Sequence, residues 1–124
     1  MTNNRIVYQL KTFVYAARGI LHFFKSEFKA WIHLLAGIAA VLLAIFLKIN
    51  PTEWLFIIVA IGLVFMSEIT NTVIEKFLDK FHPEQNSITG KIKDMMAAVV
   101  LISAVVALII GIVVFIPYII ELWN

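Results

Sequence analysis

Three long runs of apolar residues, separated by short polar segments, dominate the pattern of this chain. In the first run, 31–47, His33 is the only conspicuous polar residue. The second run gives way to a more polar segment, and the third is the longest. A helix of about 17–25 residues crosses the hydrocarbon core of a membrane. The pattern therefore predicts three helices that contain membrane spans, over 31–47, 54–79 and 93–120.

The first 25 residues show a different pattern, in which polar and basic residues recur at spacings of three and four. The residues between them are largely apolar, so a helix over 5–25 has one apolar side and one basic side. Such a helix is typical of the membrane interface, with its basic side towards anionic headgroups. A signal-anchor or a core helix is the alternative, but charges this frequent argue against a span. The recurring residues are Tyr8, Lys11, Tyr15, Arg18, His22 and Lys25.

A stripe of polar residues follows the second apolar run. At about 100° per residue, their offsets from Glu68 place Asn71, Glu75 and Asp79 within an arc of roughly 80° on one helix. The strictly apolar part, 54–66, is about 20 Å long, against a hydrocarbon core of about 30 Å. Glu68 and Asn71 are therefore predicted at or just inside the membrane boundary, and the other two beyond it. Carboxylates so close to hydrocarbon predict a functional site.

The composition is that of a membrane protein, and it excludes some kinds of site and partner. Of the 124 residues, 62% are hydrophobic, and the mean hydropathy of +0.97 is too high for an ordinary soluble domain. The length allows one domain, which we take as 1–124. No cysteine is present, so disulfides and thiolate metal sites are excluded. The net charge of +2 does not indicate a nucleic-acid partner.

Basic residues are distributed unevenly between the two predicted membrane faces. Lys48 stands alone in the turn between the first two spans, and nine other basic residues fall on the opposite side. Because cytoplasmic segments carry the excess of Lys and Arg, the N-terminus and the 80–93 loop are predicted to be cytoplasmic and the C-terminus outside. The polar stripe then faces the compartment that holds ATP and magnesium. The nine residues are Arg5, Lys11, Arg18, Lys25, Lys29, Lys76, Lys80, Lys91 and Lys93.

Acidic and basic residues are predicted to converge at this cytoplasmic face. Glu27 lies just before the first span, and Lys93-Asp94 opens the third helix, for which Ser87 or Thr89 is the expected N-cap. Carboxylates suit Mg²⁺, which prefers oxygen ligands and commonly keeps substrate phosphates among them. A lysine at a helix N-terminus adds positive charge and free N–H groups for a phosphate. These are the parts of a phosphoryl-transfer site, although the sequence contains no Walker loop.

The stretch Glu68-Ile-Thr-Asn71-Thr-Val-Ile-Glu75, followed by Asp79 and by Lys93-Asp94, resembles the prokaryotic integral-membrane diacylglycerol kinase family, which includes the undecaprenol kinases. The similarity covers nearly the whole chain, and the E-x-x-N-x-x-x-E spacing is specific in a membrane context. The resemblance implies an all-α protein of the bacterial inner membrane that uses ATP and Mg²⁺ to phosphorylate a lipid hydroxyl. It also implies a homotrimer with active sites shared between subunits.

The resemblance further implies roles for the residues of the stripe and the first junction. Glu68 matches the general base of the family, which takes the proton of the lipid hydroxyl. Asn71 matches a residue near the transferred phosphate. Glu27 and Glu75 match the carboxylates that hold the divalent metal ions.

Five further residues match positions that the family uses for the nucleotide. Lys93 matches the lysine on the ATP phosphates, with Asp94 beside it. Asp79 matches a carboxylate near the nucleotide. Lys11 and Arg18 match basic positions on the first helix, which the family places near the same substrate.

Three residues depart from the family pattern. Asn86 stands where many members have histidine, Met96 replaces a small residue, and Tyr8 stands near a position that can be arginine. The segment Ile32-His33-Leu34 is more similar to the undecaprenol-phosphorylating branch. Diacylglycerol and undecaprenol therefore both remain as acceptor lipids.

Two other functions would use the same carboxylates. A small transporter or channel would bind cations or relay protons through them, although 54–66 and 95–118 carry no charge. A non-catalytic scaffold would use Glu68 as a hydrogen-bond partner between helices. His22 and His33 are expected to contribute interfacial packing and not to act as ligands.

Overall fold

The computed structural model describes residues 2–84 and 86–123, with side chains from residue 7 onward, and this part of the chain is entirely helical apart from short connections. The side chain of Arg5, counted above among the basic residues, lies outside the described part. The helices are α1 (Thr2–Ser26), α2 (Phe28–Leu47), α3 (Pro51–Phe81) and α4 (Ser87–Trp123).

Helices α2, α3 and α4 are each long and apolar enough to cross a membrane, as the sequence predicted. All three extend beyond the predicted bounds, and the largest difference is at the start of α4, which begins at residue 87 instead of 93. At 1.5 Å per residue, α3 is about 47 Å long and α4 about 56 Å, so both are longer than a hydrocarbon core of about 30 Å. The interfacial position of α1 stays a prediction.

Glu27 separates α1 from α2. Its backbone is extended, with φ −127° and ψ 115°, and its side chain makes no capping hydrogen bond to α2. The indole Nε1 of Trp31 donates to the carbonyl oxygen of Phe24 at 3.0 Å, which satisfies one of the unpaired carbonyls at the end of α1. The Phe24 ring also packs edge-on against Trp31 and tilted against Phe65 of α3. This aromatic contact joins α1 to both following helices and leaves the Glu27 carboxylate free for other partners.

A tight turn joins α2 to α3 and makes them antiparallel neighbours. Lys48 adopts the left-handed conformation, φ 53°, and its N–H bonds back to the carbonyls of Ala44 and Ile45. Asn50 and Glu53 then form a reciprocal capping box around Pro51, the first residue of α3. The main cluster of buried apolar residues lies at this end of the bundle, opposite the polar stripe. Its members are Ala44, Leu47, Ile49, Ile57, Val114 and Phe115.

Helices α3 and α4 form the most extensive helix–helix contact in the described part of the chain. At the turn end of the bundle, the Tyr118 hydroxyl donates to Glu53 Oε2 at 2.6 Å. Further along, the buried hydroxyls of Ser67 and Ser103 lie 2.7 Å apart. Small hydroxyl residues of this kind allow close approach of helices in hydrocarbon. These contacts hold α3 and α4 side by side.

Candidate active site

Glu68 is almost fully buried between α2 and α3, and its carboxylate is paired. Only 4% of the residue is exposed. Its Oε1 lies 2.8 Å from Nε2 of His33 on α2. A buried carboxylate without such a partner would be very unfavourable, because it loses its hydration without compensation. Among the described residues no other side chain hydrogen-bonds to Glu68, so Oε2 is not engaged.

The expectation that His33 contributes only packing is therefore wrong. The two residues meet because α2 and α3 are antiparallel and their connection is short. His33 lies 14 residues before the end of α2, and Glu68 lies 17 residues after the start of α3, so their depths differ by about 4.5 Å. This count from the turn could have placed the two residues at similar depths, but it does not say that their side chains face each other.

Burial within the protein falls steadily along the stripe, whereas the position of the membrane boundary stays a prediction. Asn71, one turn beyond Glu68, is 5% exposed, and its buried Oδ1 has no hydrogen-bond partner within the described residues. Glu75 is half-buried, and the side chain of Asp79 is 66% exposed. An unpaired buried acceptor costs about 1–3 kcal/mol, so the Asn71 oxygen marks a position suited to a bound group. The stripe leads from the interior of the bundle to solvent.

Glu27 lies next to α3 and contacts Lys76, which is about 100° from Glu75 around the helix axis. Its Oε1 is 3.4 Å from Nζ of Lys76, and the Lys76 ammonium also donates to the hydroxyl of Ser26. The helix break at Glu27 thus brings its carboxylate to the helix that carries Glu75. Within the described residues, no three acidic or histidine side chains cluster closely enough to form a metal centre by themselves. Two carboxylates would need further oxygen ligands from a substrate or water.

Lys93 and Asp79 form an ion pair at the outer end of the stripe, with 2.6 Å between Nζ and Oδ1. They line a polar cavity of about 390 Å³ together with the α3–α4 connection and the first turn of α4. The two residues lie on different helices, 14 positions apart in sequence. The structure therefore brings together two of the residues that the sequence assigned to the nucleotide.

Lys93 does not lie at a helix N-terminus, contrary to the prediction. Helix α4 begins six residues earlier, because Asn86 Oδ1 accepts hydrogen bonds from the backbone N–H groups of Ile88 and Thr89. The Thr89 hydroxyl in turn accepts from the N–H of Asn86, which completes a capping box. The N-cap is thus Asn86, in place of the expected Ser87 or Thr89. These N–H groups are already satisfied, so charge on Lys93 is the main feature available to an anion here.

The remaining predicted residues are not gathered at the stripe within this chain. Asp94 and Lys11 are exposed, and neither lines the polar cavity. The Arg18 guanidinium lies 6.0 Å from the ring centroid of Tyr15 on its own helix. Of the residues that depart from the family pattern, Asn86 caps α4, whereas Tyr8 is exposed and Met96 half-buried.

An apolar cleft of about 530 Å³ runs between α2, α3 and α4, and the sequence did not predict it. His33 is the one polar side chain among the described residues that line the cleft, so the cleft reaches the Glu68–His33 pair. Small residues such as Gly37, Ala107 and Gly111 leave the space open. Its size and lining suit a hydrocarbon chain or another apolar ligand.

These features define a class: a membrane protein of apolar helices with a buried carboxylate between an apolar cleft and a polar cavity. The sequence matches the family described as prokaryotic diacylglycerol kinase over residues 14–115. It is 32% identical to an undecaprenol kinase of Bacillus subtilis over 107 residues, 86% of this chain and 87% of the relative. It is 36% identical to a diacylglycerol kinase of Escherichia coli over 74 residues, 60% of this chain and 61% of the relative.

The chain belongs to the prokaryotic diacylglycerol kinase family, and the resemblance drawn from the stripe is confirmed. It is an enzyme, a lipid kinase of the diacylglycerol kinase type. Family membership implies ATP as the co-substrate and, with the three apolar helices, a bacterial membrane protein.

Proposed function

We propose that this enzyme uses MgATP to phosphorylate the hydroxyl of a membrane lipid, with Glu68 as the general base. One observation carries the proposal: the buried Glu68 carboxylate, the first residue of the polar stripe, is hydrogen-bonded to His33, which lines the apolar cleft. A lipid alcohol has the same two parts, a hydrocarbon chain and a polar end. The other end of the stripe, about 16 Å away along α3, borders the cavity that contains Lys93.

The acceptor lipid would place its chain in the cleft and its hydroxyl at Glu68 Oε2. The free oxygen of the carboxylate supports this role, because Oε1 is already held by His33. A base must reach the proton it removes within hydrogen-bonding distance, and burial keeps competing water away.

The nucleotide would lie at the polar cavity, with the Lys93 ammonium on its phosphates. Asp79 holds that ammonium in the free enzyme at 2.6 Å, which keeps a flexible side chain at the cavity. Asp94 follows directly in sequence and would contact the nucleotide from the same helix. Lys11 and Arg18 would add basic charge from α1 when the active site is complete.

Glu27 and Glu75 would hold Mg²⁺. The donor set fits this ion, since both residues are half-buried carboxylates and the unpaired Asn71 oxygen lies one turn from Glu75. Mg²⁺ usually takes one or two protein carboxylates and completes its shell with phosphate oxygens and water. When bound, the ion would neutralise negative charge on the phosphates. In the free enzyme Lys76 forms an ion pair with Glu27, so Lys76 and Mg²⁺ would have to share that carboxylate.

The transfer itself needs one proton removed and one phosphoryl group moved. Glu68 takes the proton of the lipid hydroxyl, and the hydroxyl oxygen bonds to the γ-phosphorus of ATP. The bond between the γ-phosphorus and the β–γ bridging oxygen breaks, and ADP leaves. Asn71 is positioned near the transferred group, and Lys93 stabilises charge on the departing phosphates.

We also propose that the enzyme is a homotrimer of the bacterial inner membrane with its N-terminus in the cytoplasm. Nine of ten basic residues on one side support this orientation. Many large apolar side chains on α2, α3 and α4 are exposed in the single chain, which suits contact with lipid or with other copies. Three thin helices cannot enclose a nucleotide, so a neighbouring subunit would complete the site.

The test is a phosphorylation assay in lipid with radiolabelled ATP and three acceptors: diacylglycerol, undecaprenol and ceramide. The relatives are named for diacylglycerol or undecaprenol, so we expect one of these two lipids to be the best acceptor. Phosphorylation should occur only when Mg²⁺ is present. Glu68→Gln should lower kcat about 10²- to 10⁴-fold, because it is isosteric but cannot take the proton. Glu121→Gln, exposed near the other end of α4, is the matched control. Full activity of the Glu68→Gln enzyme would show that the base has been assigned wrongly.

A further inference from the structure

We infer that His33 is a positioning residue for the catalytic carboxylate. In this role it holds Oε1 of Glu68 by a hydrogen bond from Nε2 and so directs Oε2 towards the acceptor hydroxyl. The inference rests on the proposed function, in which Glu68 is the base. The observation that carries it is the 2.8 Å contact between α2 and α3 at a carboxylate that is 4% exposed.

The position of His33 suits this role in two ways. Its side chain is 23% exposed and lines the apolar cleft, so the imidazole borders the space assigned to the lipid chain. Its Nε2 is at the same time hydrogen-bonded to the Glu68 carboxylate. One side chain therefore connects acceptor binding to the orientation of the base.

Glu68 has no alternative charged partner in the described part of the chain. The ammonium groups nearest along the stripe are committed elsewhere, Lys76 to Glu27 and Lys93 to Asp79. The other residues that line the cleft are apolar, and the Phe24 ring of α1 packs on one of them, Phe65. Without His33, the Glu68 carboxylate would be free to change rotamer.

The hydrogen bond can persist through the reaction. When Glu68 takes the hydroxyl proton on Oε2, the His33 Nε2–H still donates to Oε1, which is then the carbonyl oxygen of the acid. No proton has to leave His33. The imidazole therefore holds the Glu68 side chain in the same rotamer before and after the proton is transferred.

Two amide substitutions separate this role from simple packing. His33→Gln places an amide nitrogen close to the position of Nε2, whereas His33→Asn places it close to Nδ1, too short to reach Glu68. Because a hydrogen bond to a charged group is lost, we expect kcat of His33→Asn to fall about 10- to 100-fold with KM for ATP within twofold of wild type. His33→Gln should stay within about fivefold of wild type in kcat. His22→Asn, on exposed α1, is the matched control.

A spectroscopic measurement tests the pair without any change at His33. With ¹⁵N-labelled histidine, the ring signals of His33 should shift in Glu68→Gln, whereas those of His22 and His82 should not. Unchanged His33 signals would overturn the pairing, even if a His33 variant failed to fold.

The outcomes distinguish the inference from the proposed function. Equal kcat for His33→Gln, His33→Asn and wild type, together with an inactive Glu68→Gln enzyme, would overturn the role of His33 and leave the proposed function standing. A fully active Glu68→Gln enzyme, or a wild type that phosphorylates none of the three lipids, would overturn the proposed function and the role of His33 with it.

Discussion

Lys93→Met should weaken ATP binding strongly while changing stability little. The ammonium of Lys93 lies 2.6 Å from Asp79 Oδ1, but the two side chains are 41% and 66% exposed. Removing such an exposed pair costs at most about 1 kcal/mol of folding free energy. A hydrogen bond from the ammonium to a phosphate is worth more, about 1.5–3 kcal/mol. Since 1.4 kcal/mol is a factor of ten, the expected rise in KM for ATP is about 10- to 150-fold.

Steady-state kinetics in lipid, with ATP varied at saturating acceptor, measures this change. Lys91→Met is the matched control, because it removes the same charge from the same helix but lies outside the cavity lining. Equal effects of the two substitutions would refute the reasoning, since they would show general electrostatic attraction and not a contact by Lys93. A fall in unfolding temperature equivalent to several kcal/mol would also refute it, because Lys93 would then be structural.

Two further predictions concern the bundle and the cleft. Tyr118→Phe should lower the unfolding temperature in detergent, because the 2.6 Å hydrogen bond to Glu53 is lost, and should leave kcat unchanged. Tyr8→Phe is the control. Gly111→Leu should raise KM for the lipid several-fold but not KM for ATP, because a Cβ there meets no atom within 4 Å and the longer side chain would enter the cleft. Gly62→Leu, equally open but outside the cleft lining, is its control.

Contrary results would be informative in both cases. An unchanged unfolding curve for Tyr118→Phe would mean that the Tyr118–Glu53 bond is replaced by water at no cost. An equal rise in the lipid KM for the two glycine variants would show that the cleft is not the acceptor site.

The helices and the stripe could be predicted from the sequence because both depend on local periodicity. A run of apolar residues long enough to span hydrocarbon leaves few alternatives to a helix, since every backbone polar group must be satisfied internally. The offsets from Glu68 to Asn71, Glu75 and Asp79 place these residues on one face of any α-helix, wherever that helix lies.

The start of α4 could be predicted less accurately than the helices and the stripe. Asn86, Ser87 and Thr89 are all good N-cap residues, so propensity alone does not choose among them. The choice depends on which side chain reaches two backbone N–H groups in the actual connection, and in the structure that is Asn86. The predicted start at residue 93 was a separate error, because even with Thr89 as N-cap Lys93 would be the fourth residue of the helix. In the structure Lys93 is the seventh residue of α4, which removes the helix-terminus argument for its role.

The sequence by itself determined three apolar helices, the residues of one polar stripe and membership of a lipid kinase family. Tertiary structure alone decided the pairs His33–Glu68, Lys76–Glu27 and Lys93–Asp79, and the apolar cleft that His33 lines. The physical reason is that a helix that is apolar nearly all round carries little information about its rotation around its own axis. Packing of α2 and α4 against α3 sets that rotation, and with it the partner of every charged residue at the site.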